Sequence, residues 1–180
     1  MRSFRRRLTF AGILTSAVAL LVVLLVQGSA LRSDTRNETR ERLSAEARIL
    51  SEALSIQWGL QGPGAWVDEL VDRSGRSTET RLTVIATDGT VLGDTTASGE
   101  ALRAIENHAD RPEVRAALSL GQGQDERLSR TTNERQMYVA VNTQHQGRLL
   151  GVARASMSLS RIETHTSQLQ RSLGLALLSV

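Results

Sequence analysis

The segment Arg81–Leu92, RLTVIATDGTVL, carries the clearest secondary-structure signal of this chain. Side chains alternate between two faces over Arg81–Ala86, which is the period of a β-strand. Residues Thr87–Thr90 then form a tight turn, because Gly89 tolerates a positive φ, and Val91 begins the partner strand. The sequence therefore predicts a β-hairpin at this point.

A helix and three further strands are predicted downstream of the hairpin. Asp110 is expected to cap the helix, with Pro112 in its first turn and Glu113 facing the positive end of the helix dipole. The helix is expected to end at Gly121–Gly123. Strand-like composition then marks residues 125–131, 136–143 and 148–157, with a turn at residues 145–147 between the last two.

A long helix and a short helix are predicted upstream. Residues 34–57 contain neither Pro nor Gly, and apolar side chains recur there at four- and three-residue steps: Leu43, Ala47, Leu50 and Leu54. Such a seam belongs either to a heptad that pairs two copies in parallel or to a helix that packs on its own domain. Breakers at residues 59–64 end this helix, and a second one covers residues 65–73. A similar seam from Leu159 to Leu173 predicts an exit helix.

Together these elements predict an α+β domain. Their order is long helix, short helix, two strands, helix, three strands and exit helix, which favours a five-stranded antiparallel sheet with helices packed on one side. The chain has no cysteine, so a disulfide framework and thiolate chemistry are excluded.

An apolar run near the start of the chain, Leu8–Val26, is long enough to cross a bilayer, because ~19 residues rising ~1.5 Å each cover most of a ~30 Å hydrocarbon core. Arg5–Arg7 precede this run and keep the start of the chain in the cytoplasm by the positive-inside bias. A cleaved signal peptide is the alternative, since small residues stand at Gly28 and Ala30. A second apolar run, Leu173–Val180, is expected to be the truncated start of another span.

These features predict six successive segments. They are a cytoplasmic basic N-terminus (1–7), a transmembrane helix (8–26), a membrane-exit helix (27–60), an extracytoplasmic domain (61–158), an exit helix (159–172) and the start of a second transmembrane helix (173–180).

The charge distribution argues against nucleic acid as a partner. The net charge is +3, and four arginines before the apolar run carry +4, so residues 8–180 carry −1. A nucleic-acid-binding protein needs a basic surface that releases counterions from the phosphates, and this domain lacks one.

Few residues suggest metal or phosphate chemistry. His108 and Asp110 are a closely spaced pair of metal-ligand type, but Asp110 is expected to serve as a helix cap, so no metal site is predicted. The Gly121–Gly123 segment follows a helix and lacks the lysine of a phosphate-binding loop. Asp88 is expected to form a turn, and Asp94 is expected to be solvated.

A ligand pocket is expected on the sheet face beneath the loop Gly99–Arg111. The candidate ligand-binding residues are His108, Arg111, Arg127 and Tyr138, because arginine forks bind carboxylate or phosphate and tyrosine offers a donor. Each also has a structural interpretation: a solvated arginine, a core tyrosine, or a histidine that bonds the loop backbone. Sensing through a dimer interface, with no small molecule, is a further possibility.

Several short runs resemble one family. They are DGTVL at residues 88–92, ENHADRPEV at 106–114, MYVAV at 137–141, GRLLGVAR at 147–154 and LSRI at 159–162. In this order they resemble the bacterial sensor histidine kinases of the phosphate-regulon (PhoR-like) type, in their extracytoplasmic Cache/PAS-like domain. The resemblance covers about residues 65–165, and the polar residues 76–80 are an insertion relative to the family.

The resemblance implies a homodimeric receptor in the bacterial cytoplasmic (inner) membrane, whose outer domain receives a small-molecule or protein signal. Its cytoplasmic autokinase would use ATP and pass a phosphoryl group to a response regulator. The three histidines, His108, His145 and His165, do not lie in a phosphoacceptor motif. This chain is therefore expected to hold no catalytic residue and no cofactor, although its parent would be a protein-histidine kinase.

Two other classes of protein remain open. The same outer domain could belong to a chemoreceptor or a diguanylate cyclase, which join similar sensors to different outputs. Alternatively, the chain could be a membrane-tethered interaction protein.

Overall fold

A computed structural model describes residues 2–76, 78, 80–129 and 133–160. Its helices are α1 (Arg2–Gln61), α2 (Ala65–Gly75), α3 (Gly99–Arg103) and α4 (Pro112–Leu120). Its strands are β1 (Arg81–Ala86), β2 (Val91–Asp94), β3 (Gln122–Leu128), β4 (Arg135–His145) and β5 (Arg148–Ser158).

The strands form one antiparallel sheet in the order β2-β1-β5-β4-β3. In the β1–β2 hairpin, the Ala86 amide donates a hydrogen bond to the Thr90 carbonyl at 2.8 Å, and Gly89 has a φ of +87°. The predicted hairpin and the predicted five-stranded antiparallel sheet are both confirmed. The last strand lies at the centre, between β1 and β4.

Helices α1 and α2 cover one face of the sheet. The seam residues Leu43, Ala47, Leu50 and Leu54 are at most 2% exposed, and they share a core with Leu82, Val84 and Val139. The seam was expected either to pair two copies of the helix or to pack on its own domain. In the structure it packs on its own domain.

Helices α3 and α4 lie on the opposite face, so the expectation of helices on one side was wrong. Val114 and Ala117 of α4 share a second core with Ile85, Ala140 and Val152. A Cβ added to Gly123 would overlap the Glu113 carbonyl oxygen, so the first turn of α4 lies directly on β3. Small side chains on this face let the helix approach the sheet closely.

The start of α4 differs from the prediction. Arg111, and not Asp110, is the N-cap residue, and it makes no side-chain cap hydrogen bond. Its φ of −70° and ψ of 130° are the extended values that a following proline favours. Glu113 lies in the first turn of α4, as predicted, and its side chain is buried.

The end of α4 also differs. Gly121 alone ends the helix, with a φ of +90°, and β3 already begins at Gln122. The predicted strand at 125–131 therefore starts three residues late, and residues 130 and 131 at its predicted end lie outside the described part of the chain.

Helix α1 runs without a break through both segments predicted as span and membrane-exit helix. Over the part of the chain that the structure describes, no helix is both long and apolar enough to cross a membrane. Most side chains of Leu8–Val26 lie outside the described residues, as do the predicted exit helix from residue 161 onward and the second span at Leu173–Val180. Both spans stay predictions.

Candidate ligand-binding site

The sheet face beneath α3 and α4 is apolar at one end and polar at the other. Because strand side chains alternate, β1, β4 and β5 place polar residues side by side on this face. Thr83 pairs with Arg154 across the β1–β5 ladder, and Arg81 pairs with Ser156, which in turn is opposite Tyr138 of β4. A patch of buried polar groups therefore lies at the centre of the domain.

Asp94, at the end of β2, is fully buried and fully partnered. The Arg81 Nε–H donates to both carboxylate oxygens at 3.0 Å, and the Thr83 hydroxyl donates at 2.8 Å. Thr96 donates through its amide at 3.0 Å and its hydroxyl at 2.6 Å. Burial raises the pKa of Asp94, but Arg81 and these hydrogen bonds outweigh it and hold the pKa below its usual value. The expectation that Asp94 is solvated was wrong, because strand pairing brings Arg81 beside it.

Glu113 is the centre of a second buried group, here called the arginine cluster: Glu113, Arg127, Tyr138 and Arg154. Its Oε1 accepts hydrogen bonds from Arg127 Nη2 at 2.7 Å and from Arg154 Nη1 at 3.1 Å. Both guanidinium groups lie over the Tyr138 ring, at 4.0 Å and 5.1 Å from its centroid. Such stacking stabilises arginine in a partly dry environment.

Thr83 joins these two groups of charges. Its hydroxyl accepts from Arg154 Nη2 at 3.2 Å and donates to Asp94. A continuous line of hydrogen bonds therefore runs from the arginine cluster through Thr83 and Asp94 to Arg81.

Arg81 opens onto a cleft of about 360 Å³ beneath α3, here called the α3 cleft, lined among others by Arg81, Thr96, Ala101, Ile105, His108 and Arg111. A second cleft of about 390 Å³ adjoins it at Arg81 and Thr96 and reaches Gln136, Ser156 and Ser158. Both volumes fall in the range of small-molecule sites. The hydroxyl of Ser156, which is 1% exposed, finds no hydrogen-bond partner among the described residues.

His108 lies in the wall of the α3 cleft and is 6% exposed. Its amide donates to the Gly89 carbonyl at 2.8 Å, whereas its Nδ1 has no hydrogen-bond partner among the described residues. Burial, followed by the positive charges of Arg154 and Arg111, lowers the pKa of His108 to about 4. The ring is neutral at pH 7, because burial disfavours its charged form and the two arginines add to the effect.

The four sequence-predicted ligand residues fall into two places. His108 and Arg111 line the α3 cleft beneath the Gly99–Arg111 loop, where the pocket was expected. Arg111 also contacts the exposed Glu106, at 3.4 Å. Arg127 and Tyr138 lie in the arginine cluster and do not line this cleft.

Sequence reasoning missed Arg81, Glu113, Arg154 and Ser156 as members of the site. One signal was present: Arg154 interrupts the apolar run GVARA, and a charge in a central strand must find a partner. As for metals, the described residues include no group of three or more His, Asp or Glu side chains that could hold an ion.

A comparison with protein-family models finds no match, and neither does a search of curated protein sequences. Solved structures do match. The sensor domain of the V. cholerae histidine kinase DctB is 16% identical, with a TM-score of 0.63 over 79% of this chain and 58% of that one.

Two chemoreceptor domains are similar in the same way. The ligand-binding domain of the Pseudomonas aeruginosa PAO1 amino acid chemoreceptor PctC, in complex with GABA, is 18% identical, with a TM-score of 0.58 over 75% of this chain and 62% of that one. The ligand-binding domain of Campylobacter jejuni Tlp3, in complex with 4-methylisoleucine, is 14% identical, with a TM-score of 0.64 over 78% and 60%.

This chain spans about three-fifths of the length of these structures. Identities this low establish the fold alone. The described part of the chain has the fold of the Cache-type sensor domains found in histidine kinases and chemoreceptors.

Proposed function

We propose that this chain is the sensory input region of a membrane-bound bacterial receptor, and that its α3 cleft binds a small organic carboxylate. The observation that carries this proposal is a cleft lined by two arginines, Arg81 and Arg111, and by the neutral His108, in a fold whose solved examples include ligand complexes.

The chemistry of the cleft favours a carboxylate ligand. Arg81 uses its Nε–H for Asp94, which leaves the outer end of its guanidinium available to a ligand. Arg111 supplies a second guanidinium, and the His108 Nδ1 and Ser156 hydroxyl supply uncharged polar contacts. Paired guanidinium forks bind carboxylates with good geometry, and Ala101 and Ile105 would contact an apolar portion. An amino acid combines these features, as the chemoreceptor complexes with GABA and with 4-methylisoleucine illustrate.

The parent protein in this proposal is a two-component sensor histidine kinase of the PhoR-like type. Leu8–Val26 would hold the chain in the bacterial cytoplasmic (inner) membrane, with Arg5–Arg7 inside and the domain at 61–158 outside. A cytoplasmic autokinase would then use ATP and phosphorylate a response regulator. The short runs that resemble this family support the kinase, as does the likeness to the DctB sensor domain.

A chemoreceptor is the second candidate, because several of the similar solved structures are chemoreceptor domains. The coding sequence after Val180 separates the two. A phosphoacceptor histidine box followed by an ATP-binding domain would support the kinase, and a long methyl-accepting helical hairpin would support the chemoreceptor.

The receptor is proposed to be a homodimer. The outer side of α1, opposite its buried seam, exposes Ile49, Ile56 and Leu60, with exposed fractions of 67%, 65% and 76%. Ile49 and Ile56 are seven residues apart, which is the spacing that pairs two parallel helices. The dimer would therefore use a different side of α1 from the seam at Leu43–Leu54.

Ligand binding is testable with the full chain in lipid nanodiscs. Melting temperatures are measured with GABA, alanine, valine, isoleucine, arginine and glutamine, which occur in complexes of the similar domains. A ligand that raises the melting temperature should lose about tenfold or more in affinity when Arg111→Ala removes one guanidinium. Arg115→Ala, an exposed change on α4, is the matched control and should leave the affinity unchanged. Equal affinity in the wild type and in Arg111→Ala would contradict the proposed cleft.

A further inference from the structure

In the arginine cluster, two arginines bind the carboxylate of Glu113 as they would bind that of a ligand. Arg127 comes from β3 and Arg154 from β5, so the sheet supplies both cations. Glu113 comes from the first turn of α4, so the helix layer supplies the carboxylate. The pair Arg127–Arg154 thus holds a single carboxylate that reaches it from a different layer.

Not every donor and acceptor at this pair of arginines has a hydrogen-bond partner among the described residues. Only Oε1 of Glu113 accepts its two hydrogen bonds, and Oε2, although buried, finds no partner among the described residues. The Nε of Arg154 is likewise buried without a hydrogen-bond partner in that part of the chain. A carboxylate free to reorient could engage more of these donors than a side chain fixed to α4.

The pair also requires an anion. The side chain of Arg154 is 3% exposed and that of Arg127 is 22% exposed. Two guanidinium groups this close together and poorly hydrated would repel each other without a negative charge between them. Asp125 pairs with Arg127, at 3.1 Å, and among the described residues it makes no ion pair with Arg154, so it does not replace Glu113 there.

The cluster also lies beside the α3 cleft. Thr83 and Asp94 connect Arg154 to Arg81, which lines that cleft. His108, in the cleft wall, is close enough to Arg154 for that charge to lower its pKa.

We propose that the Arg127–Arg154 pair is a carboxylate-binding site which Glu113 fills in the ligand-free protein, and that a free carboxylate can take its place. This inference rests on the proposed function in one respect: the carboxylate enters through the α3 cleft. Displacement of Glu113 releases the first turn of α4 from the sheet, so occupancy of the site changes how the helix is held.

The test replaces Glu113 by alanine in the full chain and supplies the missing group as a salt. Glu113→Ala removes the Cγ and the carboxylate, and acetate has the same four non-hydrogen atoms. We expect the melting temperature to fall by about 10 °C or more in sodium chloride, because two buried cations lose their counter-ion. Sodium acetate at the same ionic strength should restore it along a saturating curve.

Controls make this result specific. Glu69→Ala removes an exposed carboxylate on α2, which covers the other face of the sheet, and it should show no acetate-dependent recovery. If added chloride and added acetate raise the melting temperature of Glu113→Ala equally, the proposal is overturned. A Glu113→Ala variant whose melting temperature in chloride equals that of the wild type would also overturn it.

A measurement on the wild type covers the case in which Glu113→Ala does not fold. Amide hydrogen exchange over residues 114–117 should become faster at high acetate than at equal chloride, because acetate competes with Glu113 and loosens α4. Equal exchange rates in acetate and in chloride would contradict the proposal that a free carboxylate displaces Glu113.

The outcome is also separable from that of the proposed function. Recovery by acetate in a protein that binds none of the tested amino acids would support this site and count against the sensor cleft. Amino acid binding with no acetate effect would do the reverse.

Discussion

At the scale of single residues, the buried charges of this domain are stable because each has a partner from another element. Asp94 has Arg81, thirteen residues away, and Glu113 has Arg127 and Arg154, fourteen and forty-one residues away. No local pattern links such pairs, so sequence reasoning found Arg127 but not its partner. The sequence did place His108 and Arg111 at the pocket, because both lie in the loop that covers the sheet.

His108 gives the domain a predictable dependence on pH. Its pKa in the folded protein is about 4, below the ordinary value near 6.5, so the unfolded chain binds a proton that the folded chain does not. Stability should therefore be complete above about pH 6.5 and decrease as the pH falls towards 4, with an uptake of up to about one proton on unfolding. Urea unfolding at a series of pH values measures this slope. His108→Asn should flatten it, and an unchanged slope in that variant would contradict the assignment.

Gly123 sets the distance between β3 and α4. Gly123→Ala should reduce the free energy of unfolding by about 1–3 kcal/mol, because the added methyl overlaps the Glu113 carbonyl oxygen and the helix must shift. Denaturant unfolding measures the loss. Gly64→Ala is the comparison, since its Cβ would meet only the Trp66 ring, at 3.3 Å, and it should lose less.

At the scale of elements, the two sides of α1 have separate roles. Leu54 is fully buried against the sheet, whereas Ile56, two residues later, is 65% exposed. Large aliphatic side chains on one helix therefore serve the domain core on one side and face outward on the other.

This difference is measurable by truncation. Leu54→Ala should lower the free energy of unfolding by about 2–5 kcal/mol, because it leaves a cavity between α1 and the sheet. Ile56→Ala should change it by no more than about 0.5 kcal/mol in the monomer. Equal losses in the two variants would contradict the packing of α1 described above.

Most elements could be predicted from the sequence because they have local signals. Alternation marks β1, glycine marks its turn, and the seam marks α1. Helix α4 was predicted too, but its place on the opposite face of the sheet could not be, because α4 packs on small residues such as Gly123 and Ala140 that carry no strong pattern. The boundary at Gln122 was missed for a related reason: two glycines suggested a turn, but the second one lies within β3 and leaves room for α4.

At the scale of the whole molecule, the proposed dimer predicts which positions approach each other between copies. The chain has no cysteine, so a single introduced cysteine reports on one position alone. Ile49→Cys and Ile56→Cys should each form a disulfide-linked dimer on mild oxidation in membranes. Gln57→Cys, also exposed but turned away from that side of α1, should form several-fold less. Non-reducing gels measure the yields, and equal yields at all three positions would contradict a specific interface.

The order of the strands also has a consequence for synthesis. The central strand, β5, is the last of the five strands to be synthesised, and until it is available β1 and β4 have nothing to join them. A nascent chain that ends before residue 148 therefore holds two separate partial sheets, each with an open edge, instead of a smaller version of the domain. Completion of the sheet therefore waits for β5, and the domain cannot fold strand by strand in the order of synthesis.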